Sequence, residues 1–168
     1  MMATTPDEGE SMTATADLYD EHGEDLQSVA LQFRDLGGTL AFSGMIRTVK
    51  CFEDNSLLKA TVSEPGDGAV LVVDGAGSLR RALMGDMIAK IAADNGWAGV
   101  VIHGAVRDVA VLRSLPLGIK ALGSTPRKST KTGQGIVDEP VEFGSATFHP
   151  GRRLFADEDG ILLGRRAR

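Results

Sequence analysis

The chain has 168 residues, 42% of them hydrophobic and 24% charged, a composition typical of one globular domain that buries a core without crosslinks. Its formal net charge of −5 argues against direct nucleic-acid binding, because neutralising phosphates requires a basic face. Cys51 is the only cysteine, which excludes an intrachain disulfide and a cysteine-based zinc cluster. No apolar run reaches the roughly 20 residues that cross a bilayer, and the N-terminus lacks the pattern of a signal sequence. We therefore expect a cytoplasmic protein with no membrane partner.

Both ends of the chain are polar. Residues 1–12 combine Pro6 with acidic side chains and show no hydrophobic periodicity, which predicts a disordered N-terminal tail. Residues 164–168 form a short basic C-terminal tail. No linker interrupts residues 13–163, so we expect these residues to form a single domain.

The first part of the domain predicts short elements. A helix is expected over Thr15–Glu21. The alternation of apolar and polar residues within Leu40–Phe52 predicts a strand with one face in water. Asn55 or Ser56 then provides the cap for a helix that continues to about Val62.

Three short apolar runs bounded by glycines follow: Ala69–Val73, Gly99–Ile102 and Ile119–Leu122. Runs of this kind are typical of buried parallel strands. A helix over Gly85–Asn95, apolar on one face, and a shorter helical segment ending at about Leu115 separate the strands. This β-α-β-α-β succession predicts a parallel sheet with right-handed crossovers.

After Gly123 the pattern changes to short strand-like pieces separated by turns. These pieces are Val141–Phe143, Ala146–Phe148, Leu154–Ala156 and Ile161–Leu163. The predicted fold class is therefore α/β, with a parallel β-α-β layer packed on an antiparallel β layer in one domain. The strand within Leu40–Phe52 is expected to contribute to the antiparallel layer.

Ligands of open α/β sheets bind beyond the carboxyl ends of the parallel strands. Three segments converge at that edge: Asp74–Gly77, Gly85–Ile88 and Gly104–Asp108. The helix that begins near Gly85 offers backbone N–H groups and the positive end of its dipole to a carboxylate. The Asp-Gly-Ala-Gly run at 74–77 also suits a nucleotide or S-adenosylmethionine loop, but the full dinucleotide spacing is absent. Close backbone packing or a wall of the site is the simpler interpretation.

Three charged residues at this edge are candidates for ligand binding or catalysis. Arg107 presents a planar fork to a carboxylate or an oxyanion. Asp108 is suited to a hard divalent cation such as Mg²⁺, and Asp86 to proton transfer or to orienting a water. The alternative is structural, since adjacent arginine and aspartate residues often form only a surface salt bridge or a helix cap.

A basic loop lies further along the chain. Between Gly123 and Gly135 the sequence carries Arg127, Lys128 and Lys131. These cations are able to steer an anionic diacid towards the site. A solvated turn with incidental charge is the simpler interpretation.

Asp86 is followed by 20 residues and then by Arg107 and Asp108. This spacing, with Gly85-Asp86 opening a helix and Gly104–Asp108 following a strand, resembles the 4-hydroxy-4-methyl-2-oxoglutarate aldolase family. That family also contains the regulators of ribonuclease E activity A and members once labelled menaquinone methyltransferases. Further similar stretches are Thr15–Leu18, Asp74–Gly77, Gly118–Ala121 and Thr125–Ser129, so the resemblance runs from about Thr15 to Leu163.

The resemblance implies a fold of the swivelling β/β/α type and a class II, metal-dependent aldolase. Such an enzyme cleaves 4-hydroxy-4-methyl-2-oxoglutarate to two pyruvates through a pyruvate enolate, with oxaloacetate decarboxylation as a secondary activity. Arg107 and Asp86 would be catalytic, and Asp108 would hold the divalent cation, Mg²⁺ or else Mn²⁺. The residues implied in binding the oxo-diacid substrate are Gly85, Asp86, Met87, Ile88 and Arg107.

The resemblance also implies a homotrimer or a dimer of trimers, and it leaves a second function open. Aldolase members often carry an acidic residue three positions after the metal-binding aspartate, where this chain has Val111. The regulator members also lack that acid. The alternative is therefore a non-catalytic protein that binds and inhibits an RNA-processing endonuclease of the ribonuclease E type.

Overall fold

The computed structural model describes residues 12–165. Most of the predicted N-terminal tail, residues 1–11, and residues 166–168 of the predicted C-terminal tail lie outside the described residues. Gly164, assigned to that tail from the sequence, is the last residue of a strand.

The described chain contains four α-helices and twelve strands. The helices are α1 (Thr15–His22), α2 (Ser56–Val62), α3 (Asp86–Asp94) and α4 (Val109–Leu112), with a 3₁₀ turn at Gly23–Asp25. The strands are β1 (Leu26–Ser28), β2 (Arg34–Asp35), β3 (Phe42–Lys50), β4 (Val70–Asp74), β5 (Ala82–Met84), β6 (Gly99–Val106), β7 (Gly118–Ser124), β8 (Ile136–Val137), β9 (Val141–Phe143), β10 (Ala146–Phe148), β11 (Arg153–Asp157) and β12 (Gly160–Gly164).

The strand β3 joins the parallel and antiparallel parts of the fold. Its first half pairs antiparallel with β11, and its second half, from Ile46 to Lys50, pairs parallel with β4. The resulting strand order is β1-β12-β11-β3-β4-β6-β7-β2. The prediction that this segment contributes to the antiparallel layer is confirmed, and the same strand also belongs to the parallel sheet.

Two apolar cores lie on opposite faces of the parallel strands. Successive side chains of a strand point to opposite faces, and every residue of β4 is buried. Leu71 and Val73 join a core with residues of α2 and α3. Val70 and Val72 join a second core with residues of β9 to β12. The predicted α/β fold class, with an α-helical side and an antiparallel β side, is confirmed.

The second parallel strand was predicted to end at Ile102, and this boundary is wrong. The pairing of β6 with β7 is irregular between Ile102 and Ala105 and then resumes to Val106. On its other side the same extension pairs with β5, a three-residue strand absent from the sequence prediction. Because of this extension, Arg107 and Asp108 directly follow a strand that has a neighbour on each side.

Phe42, the first residue of β3, closes the antiparallel core over the sheet. Its ring lies against Gly99 and Gly118, which face each other across β6 and β7. A Cβ atom at either glycine would overlap this ring. Phe42 is 5% exposed, so its ring fills space that the two glycines leave empty.

Replacing Phe42 with alanine is expected to lower the free energy of unfolding by about 3–5 kcal/mol, because a large ring would leave a cavity over a bare backbone. Urea unfolding monitored by circular dichroism measures this loss. Phe52→Ala is the matched control, since Phe52 is 46% exposed and its loss should cost about 1 kcal/mol or less. Equal losses for the two variants would contradict the assigned packing.

Candidate functional site

Asp108 occupies the turn between β6 and α4. Its backbone is left-handed, with φ 61° and ψ 38°, a conformation that aspartate adopts more readily than most residues. The carboxylate is directed back towards α3, where its Oδ2 atom accepts a hydrogen bond of 3.0 Å from the backbone N–H of Asp86. The side chain therefore connects the end of β6 to the first turn of α3.

Gly85 makes this approach possible. A Cβ atom at position 85 would lie 2.5 Å from the Asp108 Oδ2 atom and 3.3 Å from the Arg107 Nε atom. Any side chain here would displace the carboxylate or the guanidinium group. A second link runs through the backbone, because the Arg107 N–H donates to the Met84 carbonyl at 2.9 Å.

Arg107 is exposed, and its guanidinium group lies near the Pro126 carbonyl, with an Nη1–O distance of 3.5 Å. Within residues 12–165, neither Arg107 nor Asp108 forms an ion pair. The surface salt bridge that the sequence left as an alternative is therefore absent from the described chain. The alternative of a helix cap is met in part, since Asp108 bonds to the first turn of α3.

The structure brings four of the six predicted site residues into direct contact: Gly85, Asp86, Arg107 and Asp108. Met87 lies next to them in the chain and is 74% exposed. Ile88 is 8% exposed and belongs to the apolar core beneath α3. Its side chain is thus directed into the core. Only its backbone N–H is placed to contact a ligand.

Some of the backbone N–H groups at the start of α3 already have acceptors. The Asp86 N–H bonds to Asp108, and the Ala89 N–H bonds to the Gly85 carbonyl. The intervening N–H groups of Met87 and Ile88 belong to the first helical turn, which has no acceptors within the helix. These two groups are positioned for a carboxylate beside Asp108.

The donor set at Asp108 fits a hard cation held by few protein ligands. One carboxylate oxygen bonds to Asp86, and the group is exposed. Mg²⁺ keeps several waters and often uses one or two carboxylates together with oxygen atoms of the substrate. Residues 12–165 contain no cluster of three or more histidine, cysteine, aspartate or glutamate side chains suited to a metal. A site made entirely of protein ligands is therefore absent from this part of the chain.

The loop at Asp74–Gly77 is packed by its own backbone. The N–H groups of Gly75 and Gly77 both donate to the His103 carbonyl, at 3.0 and 3.1 Å, and the Ala76 N–H donates to the Asp74 carboxylate at 2.9 Å. These bonds use the donors that a phosphate-binding loop would offer to its ligand. Close backbone packing is the interpretation that this geometry supports.

Asp74 and His103 form a pair that the sequence analysis did not single out. The Asp74 Oδ1 atom lies 3.3 Å from the His103 Nδ1 atom, and the imidazole stacks on Phe143 with ring centroids 4.6 Å apart. The two residues are neighbours in register across β4 and β6. Only this pairing, which the sequence does not reveal, brings them together.

Asp54 fastens the start of α2 to the loop that follows β7. Its carboxylate accepts hydrogen bonds from the hydroxyls of Thr130 and Thr132, each at 2.8 Å, and from the Ser56 N–H at 3.1 Å. Neither predicted cap, Asn55 nor Ser56, makes a capping hydrogen bond with its side chain. The Asp54 carboxylate caps α2 instead, through its hydrogen bond from the Ser56 N–H. The same carboxylate also accepts the hydrogen bonds of the two threonines.

Burial of Asp54 raises the pKa of its carboxyl group, but hydrogen bonds from Thr132, Ser56 and Thr130 lower it and prevail. The pKa in the folded protein is therefore well below its usual range. A carboxyl group of this kind stabilises the fold at pH values above its unfolded pKa of about 4, and the contribution is lost as the pH falls towards the folded value.

We expect Asp54→Asn to lose about 2 kcal/mol of unfolding free energy at pH 7, since charge-assisted hydrogen bonds are replaced by neutral ones. The deficit relative to wild type should shrink as the pH falls below about 4. Urea unfolding at pH 7 and at a pH below about 4 measures this difference. The control is Asp94→Asn, since Asp94 is exposed. A deficit that is constant with pH would contradict the role of the charge.

The comparisons with known proteins identify the family of the chain. The family model RraA-like, described as Aldolase/RraA, matches residues 15–163. The chain belongs to the RraA-like family. The resemblance inferred from the residues around Asp86 and Arg107 is thereby confirmed at the level of the family.

Three solved structures illustrate the relationship. An S-adenosylmethionine:2-dimethylmenaquinone methyltransferase from Geobacillus kaustophilus is 45% identical, with a TM-score of 0.90 over 92% of this chain and 96% of its own. The RNA-processing inhibitor RraA from Thermus thermophilis is also 45% identical, with a TM-score of 0.88 over 94% and 99%. An unusual member of the RNase ES inhibitor RraA family from Streptomyces coelicolor is 27% identical, with a TM-score of 0.71 over 88% and 77%.

Membrane insertion through a helix finds no support in residues 12–165. None of their helices combines the length and the apolar character required to span a bilayer.

Proposed function

We propose that the protein is a divalent-metal-dependent lyase that cleaves 4-hydroxy-4-methyl-2-oxoglutarate to two pyruvates and decarboxylates oxaloacetate as a secondary activity. The observation that carries this proposal is the Asp108 carboxylate, held by the Asp86 N–H beside an exposed Arg107. Membership of a family described as Aldolase/RraA supports it. The homotrimer or dimer of trimers implied by the resemblance stays a prediction.

Asp108 would hold the cation, Mg²⁺ or alternatively Mn²⁺, through the carboxylate oxygen that does not bond to Asp86. When bound, the metal supplies Lewis-acid polarisation of the 2-oxo group. The N–H groups of Met87 and Ile88, at the positive end of α3, would bind the neighbouring substrate carboxylate.

Arg107 would stabilise the charge that develops during bond cleavage. In the aldol reaction the 4-hydroxyl group loses its proton, the C3–C4 bond breaks, and its electron pair forms the enolate of one pyruvate while the other pyruvate leaves. In oxaloacetate, carbon dioxide leaves and the same enolate forms. A guanidinium group aimed at the enolate oxygen stabilises both transition states.

Asp86 would move the proton. Its backbone N–H is held by the Asp108 carboxylate, so its side chain begins next to the residue that would hold the cation. A carboxylate placed here is able to accept the hydroxyl proton and later return a proton to C3 of the enolate.

The enzyme is expected to release pyruvate from 4-hydroxy-4-methyl-2-oxoglutarate with Mg²⁺ and to lose this activity in EDTA, as measured by coupling to lactate dehydrogenase. Asp108→Asn and Arg107→Ala should each lower kcat about 100-fold or more, because each removes a charge acting on the transition state. Gly85→Ala should do the same by displacing the Asp108 carboxylate.

The controls for these variants are Asp94→Asn and Arg113→Ala, both exposed and outside the site. They should retain wild-type activity, and all variants should unfold near the wild-type temperature. Full activity in both Asp108→Asn and Arg107→Ala would refute the site. Absence of pyruvate from either substrate in the wild type would refute the proposed reaction.

A second candidate function is that of a protein-binding regulator of an endonuclease of the ribonuclease E type. The 45% identity to the RNA-processing inhibitor RraA favours it, as does the acidic net charge of −5. Val111 is 46% exposed, one turn after Asp108 in α4. It leaves this side of the site without the acid that aldolase members often carry.

Binding to a purified ribonuclease E-type endonuclease, followed by pull-down and by RNA cleavage, tests this second function. A regulator should bind and slow cleavage, and Arg107→Ala should bind equally well because Arg107 belongs to the proposed catalytic site. No binding by the wild-type protein would exclude the regulator. Inhibition without pyruvate release would favour it over the lyase.

A further inference from the structure

The segment Thr125–Ser129, termed here the anion loop, is fastened to two strands of the site. The Thr125 N–H donates to the Val106 carbonyl at 3.0 Å, and the Ala82 N–H donates to the Arg127 carbonyl at 2.6 Å. The buried Ser129 hydroxyl donates to the Ala82 carbonyl at 2.7 Å. These bonds use main-chain atoms and one buried hydroxyl, so they fix the course of the loop without its charged side chains.

Both attachment points are adjacent to residues of the proposed lyase site. Val106 immediately precedes Arg107, and Ala82 begins β5, which ends one residue before Gly85. Arg107 contacts the Pro126 carbonyl, and Arg127 is the next residue. The side chain of Arg127 therefore originates beside the guanidinium group of Arg107.

The anion loop carries positive charge that the described protein does not neutralise. Arg127 and Lys128 are exposed, and neither forms an ion pair with another residue among 12–165. Arg81 lies beside the loop, with its Nη1 atom 3.1 Å from the Lys128 carbonyl, but its Nε atom lies 3.7 Å from the Glu53 Oε1 atom, which balances its charge. In a chain of net charge −5, a local excess of cations beside a catalytic site attracts anionic ligands.

We infer that Arg127, assisted by Lys128, is a second anion subsite, which binds the distal carboxylate of a dicarboxylic substrate. This inference rests on the proposed function and assigns a residue to the recognition of the second carboxylate of its substrates. Arg107 and the start of α3 serve the oxo-acid end, and Arg127 serves the opposite end. An arginine suits this position because its planar fork binds a carboxylate through two hydrogen bonds.

A pair of substrates that differ in the distal carboxylate tests the subsite. Cleavage of 4-hydroxy-4-methyl-2-oxoglutarate gives two pyruvates, and cleavage of the monoanion 4-hydroxy-2-oxopentanoate gives pyruvate and acetaldehyde. Arg127→Gln should lower kcat/KM for the diacid about 10- to 100-fold, mainly by raising KM, as expected for the loss of a charge-assisted hydrogen bond. The value for the monoanion should change less than about twofold.

Two variants control this test. Arg113→Gln removes an exposed arginine outside the loop and should leave both substrates unaffected. Arg127→Lys keeps the charge and should recover part of the activity on the diacid. Equal losses of Arg127→Gln on both substrates, or no loss on the diacid, would overturn the subsite while leaving the lyase function intact.

A binding measurement without metal separates the subsite from catalysis. Glutarate, a dicarboxylate, should bind the wild-type protein more tightly than butyrate in isothermal titration calorimetry, and Arg127→Gln should abolish this preference. If the wild-type protein cleaves neither substrate, the proposed function fails, and the glutarate preference alone decides the subsite. The same affinity for both acids, or a preference unchanged in Arg127→Gln, would overturn it.

Discussion

The hydrogen bond from the Asp86 N–H to the Asp108 carboxylate is the interaction on which the arrangement of the site depends. It joins the start of α3 to the end of β6, and it forms only because position 85 has no side chain. The bond uses one oxygen of the Asp108 carboxylate, and the adjacent Arg107 is exposed. A single glycine thus determines where the charged groups of the site stand relative to one another.

The parallel sheet was predictable because each of its central strands is a continuous apolar run bounded by glycine. The family was recognisable from the spacing of Asp86 and Arg107. The position at which β6 ends was not predictable, because its last residues pair with β5 and with the far end of β7. Backbone pairing of this kind leaves no periodic pattern in a local window of sequence.

The supporting contacts around the site were missed for a related physical reason. Asp54 appears in the sequence as one polar residue before a helix, yet in the fold its carboxylate bonds to threonines more than 70 positions later. Asp74 meets His103 only through the register of β4 and β6. Patterns within one segment predict elements and their faces, whereas these partners are fixed by strand order.

The course of the anion loop does not depend on its charged side chains. Its position depends on carbonyl and N–H groups of Thr125 and Arg127 and on the Ser129 hydroxyl. Residues 127 and 128 are therefore open to replacement with little effect on folding. With the proposed subsite at Arg127, selection, natural or in the laboratory, would change the acids that are accepted through these two codons while the scaffold that carries Arg107 and Asp108 stays the same.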